Sequence, residues 1–400
     1  MRRFIVLAAL VGFAVPCLAA KRATVAQLEE AVAAAAAAHK PASELAKLIA
    51  GMELSERLSE ASAERLNTRL HADSEVAQAL ALQADRSAFL DLPASEQPAT
   101  PAPDRAAQLR MFDAAGKFVA ETMPRLPNFL ATRTTVHYDD SPQVMKKGAW
   151  PVRAGLHFVG RSSREISVSG ERENASGGRN SGDAEERGGL VSWGEFGSVL
   201  GMTLADSVNG TVSWSHWEDT SAGRAAVFHY SVPKSASHFQ VVNSLRRQAE
   251  LEGFASRTPG ARASSINVRP NGDPAQISVE HASRAYQGSL WLDPATGAIL
   301  RIAIEANSKD ASAFQTAEML VEYGAVEIGG ATFICPVRSV ALSRTLLDAN
   351  ANINGVGSEW LNETLFTNYH RFVGTTRILT GADATPQAPE KPADSTSKPQ

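Results

Sequence analysis

The stretch WLDPATG, residues 291–297, holds the first candidate for chemistry in this chain. A carboxylate on an exposed loop can serve as a general acid or base. The same stretch also favours a turn, because an Asp side chain bonds to backbone two residues on, Pro presets φ, and Gly adopts the left-handed conformation. Asp293 has no partner acid or base close to it in the sequence, and we therefore predict that it begins a turn and takes no part in catalysis.

Other residue types that carry chemistry are scattered along the chain. The nine histidines show no HExxH spacing, and no GxSxG elbow, P-loop or GxGxxG occurs. A hairpin expected at about residues 211–232 points His216 and His229 to opposite faces, which excludes a metal ion shared between them. Glu185 and Glu186 lie in a charged glycine-rich loop, and we expect them to be solvated. We predict a protein that is not an enzyme, with no catalytic, cofactor-binding or metal-binding residues and no cofactor.

The two cysteines are expected to have different fates. Cys17 lies in the N-terminal segment described next, and we expect that segment to be removed. Cys335 lies in the apolar run ATFICPV, which favours a buried, inert thiol over a nucleophile. The mature chain is then expected to have no intramolecular disulfide and no cysteine-based zinc site.

Residues 1–20 have the layout of a secretory signal peptide. Arg2 and Arg3 are followed by a short apolar run, Pro16 and small residues. A membrane-spanning helix is the alternative, but the run is shorter than the ~20 apolar residues such a helix needs. We predict cleavage after Ala20, or else after Ala19, and a periplasmic or secreted protein whose membrane association stays open.

The composition sets broad limits on the remaining chain. Its 400 residues are enough for two domains, each with a core of its own. The formal net charge of −4 argues against nucleic-acid binding, which needs clustered Lys and Arg on one face.

The N-terminal part of the mature chain has helical periodicity. Residues 21–91 predict three or four short helices, with Thr24 and either Asp73 or Ser74 as N-caps. Residues 92–104 form a linker rich in Pro and Ala, and residues 105–128 a helix that leads into the sheet domain. The apolar side of that helix is expected to consist of Leu109, Met111, Phe112, Phe118 and Val119.

The pattern changes to that of strands from residue 129 onward. Residues 129–380 read as an antiparallel β domain, with short apolar runs separated by Gly, Pro, Asn or Asp. A charged loop over 170–189 and a helix over 193–207 interrupt it, and a second helical piece is expected in 237–254. The tail, 381–400, is rich in Pro, Ala and Ser and is predicted to be disordered.

Two hairpins illustrate how the strands should pair. Closing one hairpin at Asp293 predicts three pairs on one apolar face, Leu290–Leu300, Gly288–Ile302 and Tyr286–Ile304, and a mostly polar opposite face. The other hairpin pairs Trp214 with Phe228 and Val212 with Tyr230. The tryptophans are expected to fill a core or, alternatively, to line an apolar cavity: Trp193, Trp214, Trp217, Trp291 and Trp360.

Five phrases resemble a recurrent group of secreted bacterial proteins of the kind abundant in Acidobacteria. They are LPNFLATRTTVHYDD (126–140), WGEFGSVLGMTLAD (193–206), GSLWLDPATGAILRI (288–302), VEYGAVEIGGATFICPVRS (321–339) and LAKLIAGMELSERLS (45–59). The resemblance covers most of the mature chain and implies no catalytic residues. The β half also resembles the outer-membrane lipoprotein carrier and localisation-factor fold, in which a curved antiparallel sheet wraps inserted helices and holds acyl chains on its concave face. That likeness lies in strand order and inserted helices, and fold does not fix function.

The expected fold class is α+β. A small N-terminal helical region precedes a curved antiparallel sheet, a half-barrel like that of the lipoprotein carriers, with inserted helices. We expect a non-enzymatic exported protein that binds a lipid or another hydrophobic ligand in the curved sheet. The alternative is an envelope scaffold or interaction protein with no small-molecule ligand. The expected partners are thus a hydrophobic ligand or an envelope protein, and not nucleic acid.

Overall fold

The computed structural model describes residues 22–140, 155–169, 172–175, 194–245, 278–307, 314–345 and 358–372. The α-helices in this part of the chain are α1 (Val25–Ala37), α2 (Ala42–Gly51), α3 (Glu60–Leu70), α4 (Ser74–Arg86), α5 (Arg105–Thr122) and α6 (Ser198–Val208). The strands are β1 (Phe129–Asp139), β2 (His157–Ser169), β3 (Arg172–Ala175), β4 (Thr211–Thr220), β5 (Gly223–Val232), β6 (Gln240–Leu245), β7 (Ser278–Ser283), β8 (Tyr286–Leu292), β9 (Ile299–Asn307), β10 (Phe314–Ile328), β11 (Ala331–Thr345) and β12 (Ser358–Arg371).

The α+β class that the sequence predicts is confirmed. N-terminal helices precede a curved, open antiparallel sheet, and α6 is inserted between β3 and β4. Within the described residues, ten strands form the main sheet in the order β3-β2-β1-β12-β11-β10-β9-β8-β5-β4, and β6 and β7 form a separate pair. The first strand thus lies beside the last, and the two edge strands come from the middle of the chain.

Helices α1 to α4 form a small bundle, called the bundle below. Its core contains the completely or almost completely buried side chains Leu28, Val32, Ile49, Leu58, Leu66 and Leu80. Both predicted N-caps are present. Thr24 and Gln27 form a reciprocal capping box at α1, and Asp73 accepts hydrogen bonds from the backbone of Glu75 and Val76 at α4.

Helices α5 and α6 cover one face of the main sheet, called the α5–α6 face. Val119 of α5 and Leu200 of α6 pack there against Leu290, Ile302 and Val321 of the strands. Leu109 was expected on the apolar side of α5 but is 49% exposed, because the helix turns this residue away from the sheet. The burial of such aliphatic side chains stabilises the sheet by about 1.5–3 kcal/mol each.

The bundle covers part of the opposite face, called the bundle face. A smaller apolar cluster lies there, with Val227, Leu320 and Val340 from the strands, and Ala88 and Phe89 from the segment after α4. The sheet is therefore buried on both sides over its central strands. The mostly polar face predicted for the hairpin at Asp293 lies against the bundle in this region and not against solvent.

The turn predicted at Asp293 is confirmed. Its side chain accepts hydrogen bonds from the backbone N–H of Ala295 and the hydroxyl of Thr296, at 2.9 and 2.6 Å. Gly297 has φ +76° and donates to the Asp293 carbonyl at 2.9 Å. The turn contacts α5, because a Cβ at Gly297 would lie 2.5 Å from the carbonyl oxygen of Ala114.

The pairing predicted for this hairpin is wrong by two residues. Leu290 pairs with Ile302 and Gly288 with Ile304. One residue of this shift arises at the turn, which closes on the Leu292–Ile299 pair, and the second arises from a bulge between that pair and Trp291–Arg301. Leu300 accordingly packs with the bundle-face cluster and not with Leu290. The other hairpin has the predicted pairs, Trp214–Phe228 and Val212–Tyr230.

The segments predicted to interrupt the strands differ in how well they match the structure. The helix predicted in 237–254 is wrong where the structure describes it, since 240–245 form β6, as the β-branched pair Val241 and Val242 allows. The charged loop predicted over 170–189 contains the short edge strand β3. The predicted inserted helix over 193–207 is present as α6, from Ser198 to Val208.

Cys335 is free and buried, and burial raises the pKa of its thiol to about 12. In the part of the chain that the structure describes, no helix has the length and apolar character needed to cross a membrane. The predicted signal peptide, 1–20, and the predicted disordered tail, 381–400, lie outside the described residues.

Candidate functional site

A cleft of about 1020 Å³ separates α3 and α4 from the bundle face. It lies at the upper end of the size range of sites for small molecules, roughly 300–1,000 Å³. Apolar side chains on both walls line part of it, including Leu80 from the bundle and Leu300 and Val337 from the sheet. The rest of the lining is charged or polar.

A row of charged side chains crosses the sheet floor of this cleft. Strand pairing places Trp291 beside Arg301, Arg301 beside Glu322, and Glu322 beside Arg338, on four neighbouring strands. Opposite charges in directly facing positions stabilise adjacent strands. Glu322 contacts Arg301 and lies 3.7 Å from Arg338. Burial would raise the pKa of Glu322, but the two guanidinium groups outweigh it and lower that pKa.

The Trp291 end of the row is the most enclosed. Glu218 of β4 accepts a hydrogen bond from the indole N–H of Trp291 at 2.7 Å and forms an ion pair with Arg57 at 2.5 Å. The guanidinium carbons of Arg57 and Arg301 lie 5.5 and 5.3 Å from the centre of the Trp291 ring. Burial would raise the pKa of Glu218, but His216, Arg57 and Trp291 together lower it to about 2. This carboxylate is charged at neutral pH.

The Arg338 end carries two more carboxylates. Arg338 contacts Asp85 of the bundle and donates to Glu363 of β12 at 2.9 Å. Burial raises the pKa of Asp85 to about 7, although Arg338 opposes this shift. The row is therefore joined to the bundle at both ends, by Arg57 and by Asp85.

Further contacts hold the bundle on the sheet. Arg86 at the end of α4 makes a bidentate ion pair with Glu359 of β12, at 2.8 and 3.0 Å. Asp91 lies 3.3 Å from His229 of β5. The segment between α4 and α5 is also attached, since the indole N–H of Trp217 donates to the carbonyl of Pro101 at 3.0 Å.

The predicted orientation of the two hairpin histidines is wrong. Both His216 and His229 face the bundle, because a bulge at Ser215 and His216 reverses the alternation of β4. The same bulge turns Trp214 and Trp217 together onto the α5–α6 face, with their rings 4.8 Å apart. No group of three or more His, Cys, Asp or Glu suited to a metal ion occurs among the described residues.

Trp214, Trp217 and Trp291 all pack into apolar clusters, which is the first of the two expected roles. Trp214 and Trp217 pack against the core of the α5–α6 face, whereas Trp291 lines the cleft while being only 2% exposed. Trp360 is half-buried on β12, and Trp193 lies outside the described residues.

The charged row could not be recognised from the sequence alone. A single charged residue on a strand usually faces solvent, so no one of these residues by itself indicated that they lie together in a cleft. A weak signal was present, since the consecutive strands β9, β10 and β11 contain, among other charged residues, Arg301, Glu322 and Arg338, whose charges alternate in sign. Recognising it required the correct register, and the bulge after Trp291 changes that register. The contribution of Arg57 and Asp85 from the bundle left no local signal.

Comparison of the chain with protein-family models, with curated proteins and with solved structures returned no match. The function is therefore inferred from the geometry of the cleft.

Proposed function

We propose that the chain is an exported, non-enzymatic binding protein, and that the cleft between the bundle and the sheet holds a lipid or another ligand with a large apolar part. The cleft volume of about 1020 Å³ is the observation that carries this proposal. The apolar walls would bury the body of such a ligand, while the charged row would contact its polar end. The proposal puts the ligand on the bundle face, because α5 and α6 fill the other face with their own side chains.

The state of the carboxylates supports binding over catalysis. Glu218 and Glu322 have lowered pKa values and are bonded to guanidinium groups, which makes them weak bases and poor proton donors at neutral pH. Asp85 has a pKa near neutrality, but its carboxylate contacts Arg338.

Filling the cleft tests the proposal. Ala81 lies on the exposed side of α4 and lines the cleft, so Ala81→Trp adds volume there without removing a buried contact. We expect native mass spectrometry and organic extraction of the purified chain to recover a bound amphiphile, and its occupancy to fall at least about tenfold in the variant. Ala33→Trp is the matched control, since Ala33 is exposed on α1 and does not line the cleft.

Three results would contradict the proposal. Equal ligand occupancy in Ala81→Trp and Ala33→Trp would place the ligand elsewhere. Recovery of no ligand from the unaltered chain would favour the envelope scaffold. If the chain converted the recovered ligand to a product, and Asp85→Asn abolished that conversion, the chain would be an enzyme.

A further inference from the structure

The Arg57 side chain is buried, and one of its guanidinium nitrogens lacks a hydrogen-bond acceptor among the described residues. Arg57 lies in the loop between α2 and α3, where its backbone N–H donates to the Asp91 carbonyl at 2.8 Å. The side chain is 5% exposed, and its Nη2 contacts Glu218 at 2.5 Å. Its Nη1 has no hydrogen-bond partner among the described residues. Arg57 is one of the residues that line the cleft.

A buried guanidinium N–H without an acceptor is costly. Arginine is always charged and carries five N–H donors in a rigid fork that matches carboxylate and phosphate oxygens. An unsatisfied buried donor costs about 1–3 kcal/mol, and more for a charged group. Nη1 itself is enclosed, so an oxygen acceptor that enters from the cleft and replaces the atoms covering Nη1 would remove that cost.

Two guanidinium groups and one carboxylate surround the Trp291 ring. Arg57 and Arg301 both lie over the Trp291 ring, and Glu218 lies between them, at 2.5 Å from Arg57 and 4.0 Å from Arg301. Burial and then the charge of Arg301 lower the pKa of Arg57, and the same surroundings hold Glu218 ionised. Glu322 contacts Arg301, so each of the two guanidinium groups has a carboxylate partner, and the position without a partner at this end is the Arg57 Nη1.

We propose that the ligand of the cleft carries an oxyanion, a carboxylate or a phosphate group, and that Arg57 binds this group at the Trp291 end. This inference rests on the proposed binding function and names the polar end of its ligand. The apolar body would extend from Arg57 along Leu58 and Leu300, which line the same cleft.

The competing possibility is that the cleft prefers a ligand with a positively charged end. Carboxylates outnumber guanidinium groups along the whole cleft. Glu60 and Glu64 are exposed on α3, however, and Asp85 and Glu363 contact Arg338 at the other end. The Trp291 end alone has a buried donor that lacks an acceptor in the described part of the chain.

Eight-carbon probes with different head groups separate these possibilities. Isothermal titration of the purified full chain at about pH 8 would compare octanoate, octyl phosphate, octanol and octylamine. The alkyl chain of octanoate is one carbon shorter than that of the other three, which weakens its apolar binding by about 0.8 kcal/mol. We expect octanoate or octyl phosphate to bind at least about tenfold more tightly than octanol, and octylamine to bind least. The anion that binds more tightly identifies the head group.

Other outcomes would contradict the oxyanion site. Equal binding of octanoate, octyl phosphate and octanol, or tightest binding of octylamine, overturns the oxyanion site and leaves the binding function in place. Binding of none of them contradicts both proposals.

Two variants with opposite expected effects test the residue itself. Arg57→Gln should weaken binding of the preferred anion about tenfold and leave octanol binding unchanged. Glu218→Gln retains an oxygen that accepts from Trp291 and Arg57 but removes a negative charge, and it should strengthen anion binding. Arg65→Gln is the control, since Arg65 lines the cleft with a side chain that is 60% exposed. If Arg57→Gln does not fold, Glu218→Gln becomes the test of the proposal. Unchanged or weaker anion binding in Glu218→Gln overturns it.

Discussion

Single charged residues on the bundle face have very different surroundings. Glu218 and Glu322 are each held by guanidinium groups, whereas Glu318 of β10 lies directly opposite Glu305 of β9. Burial and then the charge of Glu305 raise the pKa of Glu318 to about 7, although Arg344 opposes this shift. Like charges in directly facing positions destabilise adjacent strands. Glu318 is thus a carboxylate whose ionisation weakens the fold.

The pH dependence follows from the sign of that shift. The folded chain holds the Glu318 proton more tightly than the unfolded chain, so this residue stabilises the fold below its unfolded pKa of 4.5, and that stabilisation is lost as the pH rises to about 7. We expect Glu318→Gln to increase the free energy of unfolding by about 1 kcal/mol near pH 8 and to change it little near pH 4. Urea denaturation at both pH values measures this. The control is Glu327→Gln, at an exposed position on the same strand. An equal gain in both variants, or a gain near pH 4, would contradict the explanation.

At the scale of single elements, the turn between β8 and β9 combines a backbone requirement with a packing requirement. Gly297 adopts φ +76°, and α5 lies directly against it at Ala114. Gly223, at the turn between β4 and β5, has φ +115°, but a Cβ added there would have no neighbouring atom within 4 Å. An alanine at Gly223 would therefore introduce backbone strain alone, whereas an alanine at Gly297 would introduce both strain and a steric clash.

We expect Gly297→Ala to destabilise the chain by about 3 kcal/mol and Gly223→Ala by about 1–2 kcal/mol, since only the first adds a clash with α5 to the strained conformation. Thermal or urea unfolding of both variants provides the measurement. Equal losses would mean that the turn does not depend on α5.

Most of the elements could be predicted from sequence, and so could the Trp214–Phe228 pairing, but the register beyond a bulge could not. Thr24, Asp73 and the Asp293 turn are local signals, because a cap or turn needs only residues a few positions away. The bulges in β4 and β9 have no comparable signal. Each adds one residue to one strand and so reverses the face of the residues beyond it, which is why His216 and Leu300 were assigned to the wrong faces.

At the scale of the whole molecule, the docking of the bundle on the sheet determines whether the cleft exists. The apolar part of that contact centres on Phe89, which is 8% exposed and packs with Trp291, Val340 and their neighbours. Ion pairs from Arg57, Asp85 and Arg86 surround it. Such a contact joins segments that lie far apart in the sequence, so composition and periodicity could predict a bundle and a sheet but not this cleft between them.

Phe89→Ala should weaken the docking selectively. We expect a loss of about 3–4 kcal/mol in the free energy of unfolding, because removal of a buried aromatic ring leaves a cavity between bundle and sheet. Hydrogen exchange should accelerate in α1 to α4 more than in β8 to β11. Leu70→Ala serves as control, since Leu70 is partly buried within the bundle and its loss should not alter exchange in the sheet. Uniform acceleration in Phe89→Ala would show that bundle and sheet unfold together.

The adjacency of β1 and β12 has a consequence for how the chain reaches its native state. Phe129 pairs with Arg371, so the interior of the sheet joins the two segments farthest apart in its sequence. Bringing them together closes a very long loop, and contacts of this kind slow the folding of β proteins. During synthesis, β1 cannot pair with β12 until almost the whole domain has been made. Assembly of the sheet is therefore a late event that depends on its last strand.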